Sequence, residues 1–204
     1  MEKMFVENRG HVYNHAGFSY RGWHSEENIR VNRKLAEEVH NGQIVEIGVF
    51  GGASIFSIID ICIKNSTKIT GIDPWELLVP ADEHGSKLSN VRFRKENLED
   101  AHNNLQMICD ELNYNEHVKL IKNFSHLGVN QFEDKSIDLL YIDGEHTYNA
   151  VTLDLNLWFP KMKDGSTIWG DDFWKGGVKK AVADFCKDKN LKFIKDKNSF
   201  IIRL

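Results

Sequence analysis

The sequence predicts an open, doubly wound α/β sheet of seven strands, mostly parallel, with helices on both faces and an antiparallel C-terminal hairpin strand. Three observations carry this. Short apolar runs alternate with helical stretches along the chain, the pattern of strand–helix–strand units that build a parallel sheet. Residues 44–54 (IVEIGVFGGAS) pass from an apolar run through a glycine turn into a helical segment. The tail reads as two strands, LKFIK and SFIIRL, around a turn at Asp196-Lys197-Asn198.

The chain of 204 residues suits one domain with a sizeable core. Its net charge of -4 leaves no electrostatic footprint for nucleic acid or an anionic membrane. Cys62, Cys109 and Cys186 lie far apart in apolar helical contexts, an odd count without metal-ligand spacing. They point to a reducing, cytoplasmic setting. The N-terminus carries acids and no apolar leader, and no apolar run approaches the roughly 20 residues of a membrane span.

Residues 1–24 read as irregular and rich in aromatics (Phe5, Tyr13, Phe18, Tyr20, Trp23) and histidines. They are expected to form a lid over a site or an oligomer arm, or simply to cover the core. The remaining residues, 25–204, form the single main domain. Ser25 has the chemistry of a helix N-cap followed by first-turn acids, with Ile29, Leu35, Ala36 and Val39 inward and Asn41-Gly42 as the stop. The strand at 44–47 leads through Gly48, Gly51 and Gly52 into a helix. A second strand, residues 68–73, ends in Asp73, and Pro74 blocks extension of its ladder. Residues 75–95, with Pro80 and Gly85, read as an insertion or active-site loop. A helix over 97–112 follows from Leu98, Ala101, Leu105, Ile108 and Leu112. Strands are expected at 118–124 and 136–143, the latter apolar enough to be central. A helix over 147–162, a strand over 165–170 and a helix over 178–187 complete the pattern.

In such a sheet, ligands sit at the carboxyl ends of the strands where the strand order reverses. Glycines there allow close backbone approach, and a helix start favours anionic groups. Such turns also serve as plain connections. Asp73 is placed to accept from the ribose hydroxyls of an adenosine ligand, or merely to start a Pro turn. Glu46, a carboxylate inside a buried strand, needs a partner such as a turn or a ligand ammonium group. Asp143, Asp171 and Asp172 converge from neighbouring strand ends and would repel one another without a neutralising cation. Oxygen donors of this kind suit a hard ion such as Mg²⁺ or Ca²⁺. His146, three residues past Asp143, has the chemistry of a general base near neutral pH, or of a helix cap or surface group.

Together VEIGVFGGAS, GIDPWE, IDLLYIDGEHTYNAVTLDL, WFPKMKDGSTIWGDDF and GVKKAVADF resemble the class I S-adenosylmethionine-dependent methyltransferases. Within these, the chain is similar to the metal-dependent sugar O-methyltransferases of macrolide and aminocoumarin biosynthesis over roughly residues 40–190. The resemblance implies a Rossmann-like fold and a small-molecule sugar or diol acceptor, with no nucleic-acid or membrane partner. It implies S-adenosylmethionine lying against residues 46–54 (Glu46, Gly48, Gly51, Gly52 and Ser54), with its ribose on Asp73 and its adenine near Asn123 and Ser125. Asp143 borders that site and, with Asp171 and Asp172, would hold a divalent metal, with Mg²⁺ as the expected ion. His146 is the expected base, with Asp143 sharing the role. Phe50 stands where the commoner (D/E)xGxGxG turn has glycine. A homo-oligomer is compatible with this reading. The competing readings are an NAD(P)-type oxidoreductase, which would want a GxGxxG turn, and a nucleotide-binding protein without catalysis.

Overall fold

The computed structural model describes residues 11–76 and 95–204. The expectations for Phe5, Pro80 and Gly85 lie outside the described residues. The N-terminal segment forms a two-stranded antiparallel hairpin, β1 (His11–His15) and β2 (Phe18–Gly22), where the sequence suggested irregular chain. Alternating Val12, Asn14 and Tyr13, His15 encode it, and Ala16-Gly17 closes it with two positive φ values.

Helix α1 (Glu26–Ala36) begins where expected, the Ser25 hydroxyl accepting from the Asn28 backbone N–H. Its inner face differs from the expected one. Asn28 and Asn32 are buried with Val31, Leu35 and Ala36, while Ile29 is only half-buried. The two asparagines go inward because partners await them there: Asn28 donates to Asp171, and Asn32 to the Ser54 carbonyl.

Strand β3 (Gln43–Ile47), helix α2 (Ala53–Lys64), β4 (Lys68–Asp73), α3 (Lys95–Glu111) and β5 (Val118–Lys122) follow. A one-turn α4 (Ser125–Gly128) leads to β6 (Ile137–Ile142), α5 (Tyr148–Trp158), β7 (Met162–Gly170), α6 (Gly176–Asp188), β8 (Phe193–Asp196) and β9 (Ser199–Arg203). The expected helix over 147–162 stops early because Phe159-Pro160-Lys161 tighten into a 3₁₀ turn, after which Met162 already belongs to β7. That strand reaches further back than residue 165, with a register break opposite Ile137–Leu139 and Gly165 at φ 80°.

The main sheet has the order β5-β4-β3-β6-β7-β9-β8. Pairings among β5, β4, β3, β6 and β7 are parallel, while β9 and β8 add antiparallel neighbours. This is the expected seven-stranded, mostly parallel, Rossmann-like sheet. Chain order reverses between β3 and β6, so the loops after these two strands flank the switch point.

Each face buries its own core. On one side Ile44, Leu139 and Trp169 pack with Val31, Leu35, Ile55, Ile59 and Leu105 from α1, α2 and α3. On the other, Val45, Leu140, Ile142 and Ile168 pack with Leu155, Trp158, Val182 and Phe185 from α5 and α6. Glu46, Tyr141 and Trp169 stand in register across β3, β6 and β7. Tyr141 and Trp169 belong to the first core, so this row faces α1 and the hairpin.

Candidate functional site

The turn after β3 is built by a few compulsory contacts. Gly48 has φ 86°, and a Cβ there would lie 2.2 Å from the Asp143 carbonyl oxygen. Only glycine lets the ends of β3 and β6 approach this closely. Phe50, which replaces the commoner glycine, adopts φ 49° and so keeps the left-handed conformation that glycine would favour. Several contacts hold it there. Its N–H and that of Val49 donate to Asp73 Oδ2, each at 2.9 Å, its carbonyl accepts from Trp75 Nε1 at 2.7 Å, and its ring stacks on Trp23.

Asp73 therefore closes the glycine turn onto the end of β4, its Oδ1 also accepting from the Trp75 N–H. Burial raises its carboxyl above the usual range, while the three backbone N–H groups pull it back. A carboxylate offers about four acceptor positions, so one more donor can be taken. Beside it, the Asn123 N–H donates to the Asp73 carbonyl at 3.0 Å. The Ser125 hydroxyl is committed elsewhere, donating to Asp154 and accepting from Trp158 Nε1. Glu46 is buried and accepts from the Ser54 hydroxyl, which ties β3 to the first turn of α2. Burial holds the Glu46 carboxyl well above the carboxylate range, and nearby Asp143 and Asp73 add to the rise. Gly51 and Gly52 complete the turn, and the α2 N-terminus has no side-chain cap.

Across the switch point lies the acid cluster. Asp143 Oδ2 accepts from the Tyr141 hydroxyl at 2.8 Å, and its Oδ1 lies 3.3 Å from His146 Nε2. The same nitrogen is 2.9 Å from Asp172 Oδ2. Lys175 Nζ bonds that carboxylate too, and Trp174 Nε1 donates to its other oxygen at 2.8 Å. Burial would raise Asp172, but His146 and Lys175 overcome it and hold the carboxyl well below its usual range. Asp171 accepts from Asn28 through Oδ2, and its Oδ1 is buried without a hydrogen-bond partner. Burial, with Asp143 nearby, lifts Asp171 to about 6.

His146 is the cationic partner in this cluster. Burial alone would lower its pKa, yet hydrogen bonds and charge from Asp143 and Asp172 raise it to about 9. Lying between two carboxylates favours its imidazolium form. Among the described residues, no three His, Cys, Asp or Glu side chains are gathered as a metal-holding set. Asp172 already faces Lys175, His146 and Trp174, and Asp171 faces Asn28. The donor chemistry nonetheless fits a hard cation, being oxygen-rich with one buried carboxylate oxygen unpartnered.

The structure thus brings Glu46, Gly48, Gly51, Gly52, Ser54 and Asp73 to one side of the switch point and Asp143, His146, Asp171 and Asp172 to the other. Four contributors had escaped the sequence reading: Asn28, Tyr141, Trp174 and Lys175. The spacing of Asn28 and Asn32, in line with Leu35 and Val39 on one helical stripe, was the available signal for the first. Lys175, three residues after Asp172, carried only a local-pair signal. The three cysteines are free and buried, and among the described residues no helix is long and apolar enough to cross a membrane.

A family model described as a methyltransferase domain matches residues 45–173. An uncharacterized protein of Sinorhizobium fredii is 27% identical over 66% of this chain and 13% of its own length. Another, from Acanthamoeba polyphaga mimivirus, is 29% identical over 71% of this chain and 59% of its own length. The matched stretch therefore spans less than two thirds of either relative. The O-methyltransferase NovP superposes with a TM-score of 0.68 at 17% identity, covering 87% of this chain and 79% of NovP. The calicheamicin methyltransferase CalS11 gives 0.64 at 14% identity, over 86% and 77%. At these identities the two structures speak for the fold.

Proposed function

The chain belongs to the methyltransferase family whose model it matches over residues 45–173, a class I fold of S-adenosylmethionine-dependent enzymes, and on that premise we propose that it methylates a hydroxyl of a sugar or other small diol with the assistance of a divalent cation. One observation carries this reading: the glycine turn closed by Asp73 and the carboxylate cluster of Asp143, Asp171 and Asp172 flank the same switch point. CalS11 is described as a TDP-rhamnose 3'-O-methyltransferase, which favours a sugar acceptor.

In this proposal residues 46–54 bind the methionine portion of S-adenosylmethionine, Glu46 facing its ammonium group. Asp73 takes a ribose hydroxyl at its remaining acceptor position, and Asn123 and Ser125 border the adenine. The sulfonium supplies an activated methyl group, so that an O–CH₃ bond forms as the S–CH₃ bond breaks, with the acceptor oxygen in line. The residues' main task is then alignment at near-attack distance. Asp143, Asp171 and Asp172 would hold the cation, preferably Mg²⁺. A cation held there supplies Lewis-acid polarisation of a coordinated hydroxyl. His146 Nε2 would take the acceptor's proton when its imidazole is neutral, with Asp143 sharing the role. Residues 11–24 form a lid over this end of the sheet: Trp23 covers Phe50, and the following helix reaches Asp171 through Asn28. We place the chain in the cytoplasm, acting on a small molecule.

Calorimetric titration with S-adenosylmethionine, with and without Mg²⁺ and with NAD as control, tests the reading. Micromolar binding of S-adenosylmethionine without NAD binding is expected, and Asp172→Ala should keep that binding while abolishing transfer. NAD binding instead would favour the oxidoreductase reading, and loss of S-adenosylmethionine binding in Asp172→Ala would argue against a separate cation site.

A further inference from the structure

We infer that Tyr141 is a positioning residue for this reaction, its hydroxyl fixing the orientation of Asp143 so that Oδ1 is presented to His146 and the acid cluster; the inference rests on the proposed role of that cluster. Tyr141 lies in the central strand β6 among Leu139, Leu140 and Ile142, where a side chain without polar atoms would satisfy the core equally well. Its ring is 2% exposed and stacks on Trp169, with centroids 3.9 Å apart and planes 9° from parallel. The His24 ring closes a further side at 6.1 Å. Trp169 and His24 therefore hold the ring, and the freedom left to the phenol is the direction of one O–H.

That O–H is spent on Asp143 Oδ2 at 2.8 Å. Because an ionised carboxylate can only accept, the phenol is the donor of this pair. The bond to Oδ2 fixes the rotation of the Asp143 carboxylate, so that Oδ1 is the atom that faces His146. Tyr141, Asp143, His146 and Asp172 thus form one hydrogen-bonded line from the core to the site. Partners of this kind, which orient a ligating group without touching the bound ion, typically contribute 10–100-fold to metal affinity.

The test compares wild type, Tyr141→Phe and Trp169→Phe, all full length, by Mn²⁺ binding in electron paramagnetic resonance and S-adenosylmethionine binding in calorimetry. Tyr141→Phe keeps the ring and removes only the donor. It should weaken Mn²⁺ binding about tenfold or more and leave S-adenosylmethionine affinity unchanged. Trp169→Phe disturbs the stack without touching a carboxylate and should leave Mn²⁺ affinity within about twofold of wild type. Equal Mn²⁺ affinity in wild type and Tyr141→Phe overturns the inference, as does an equal loss in Trp169→Phe, which would make the effect one of packing. Failure of wild type to bind Mn²⁺ overturns it together with the cation site, whereas the methyltransferase reading stands or falls on the S-adenosylmethionine titration.

Discussion

At the residue scale, His146 shows how two neighbouring carboxylates shift the charge of a side chain. Its ordinary pKa of 6.5 would leave it mostly neutral at pH 7, but Asp143 and Asp172 lift it to about 9. Because the folded-state pKa is raised, the imidazolium stabilises the fold fully below about pH 6.5. That contribution disappears as pH climbs through about 9. In metal-free protein, His146→Gln should therefore lower stability by about 1–3 kcal/mol at pH 6 and by much less at pH 9.5. The side chain is 28% exposed, and solvent screens part of the interaction. Urea melts of both proteins at the two pH values measure the difference. A gap that does not change with pH would mean that His146 carries no extra proton between the carboxylates.

At the scale of elements, α1 does two jobs that its hydrophobic pattern hides. Leu35 and Ala36 bury the helix against the sheet, while Asn28 satisfies Asp171 and Asn32 the end of α2. Asn28→Leu would keep the volume and strand Asp171 Oδ2 without its donor, beside an Oδ1 that already lacks one. A loss of about 1–3 kcal/mol is expected, against a smaller change for Ile29→Ala at a half-buried position. Thermal melts compare them, and a near-neutral Asn28→Leu would show that Asp171 does not depend on α1. The same helix marks the limit of what the sequence discloses. Ser25 was legible because capping is local, and the strand–glycine–helix run at 44–54 because it needs only neighbours in the chain. The hairpin at residues 11–22 was hidden by short strands whose alternation is partly exposed, and the early end of α5 by a Pro that sits in a 3₁₀ turn. The carboxylates were visible as types at strand ends. Their partners Asn28, Tyr141 and Lys175 were not, because each is chosen by tertiary approach.

For the whole molecule, the two cores on opposite faces of one sheet leave the switch point as the place where a ligand can couple them. The turn after β3 contacts Asp73 of β4, Trp23 before α1 and Asp143 after β6, so parts from both sides of the chain reversal meet there. A ligand that binds this turn only in the folded state raises stability by mass action, by about 2.7 kcal/mol at a hundred times its Kd. For a chain of this length each kcal/mol moves the midpoint by about 2–4 °C, so saturating S-adenosylmethionine or its demethylated product should raise Tm by about 5–11 °C. NAD at the same concentration should leave Tm where it was. Glu46→Gln tests the coupling itself. It preserves an acceptor for Ser54 but cannot answer a ligand ammonium with charge, so the shift with S-adenosylmethionine should fall by about half or more while the ligand-free Tm rises or holds. The ligand-free gain follows from sign: burial raises the Glu46 carboxyl, so its ionised form opposes folding above the ordinary carboxylate range, and a neutral amide removes that opposition. A full ligand shift in Glu46→Gln would confine Glu46 to anchoring α2 through Ser54 and leave the ammonium to other groups.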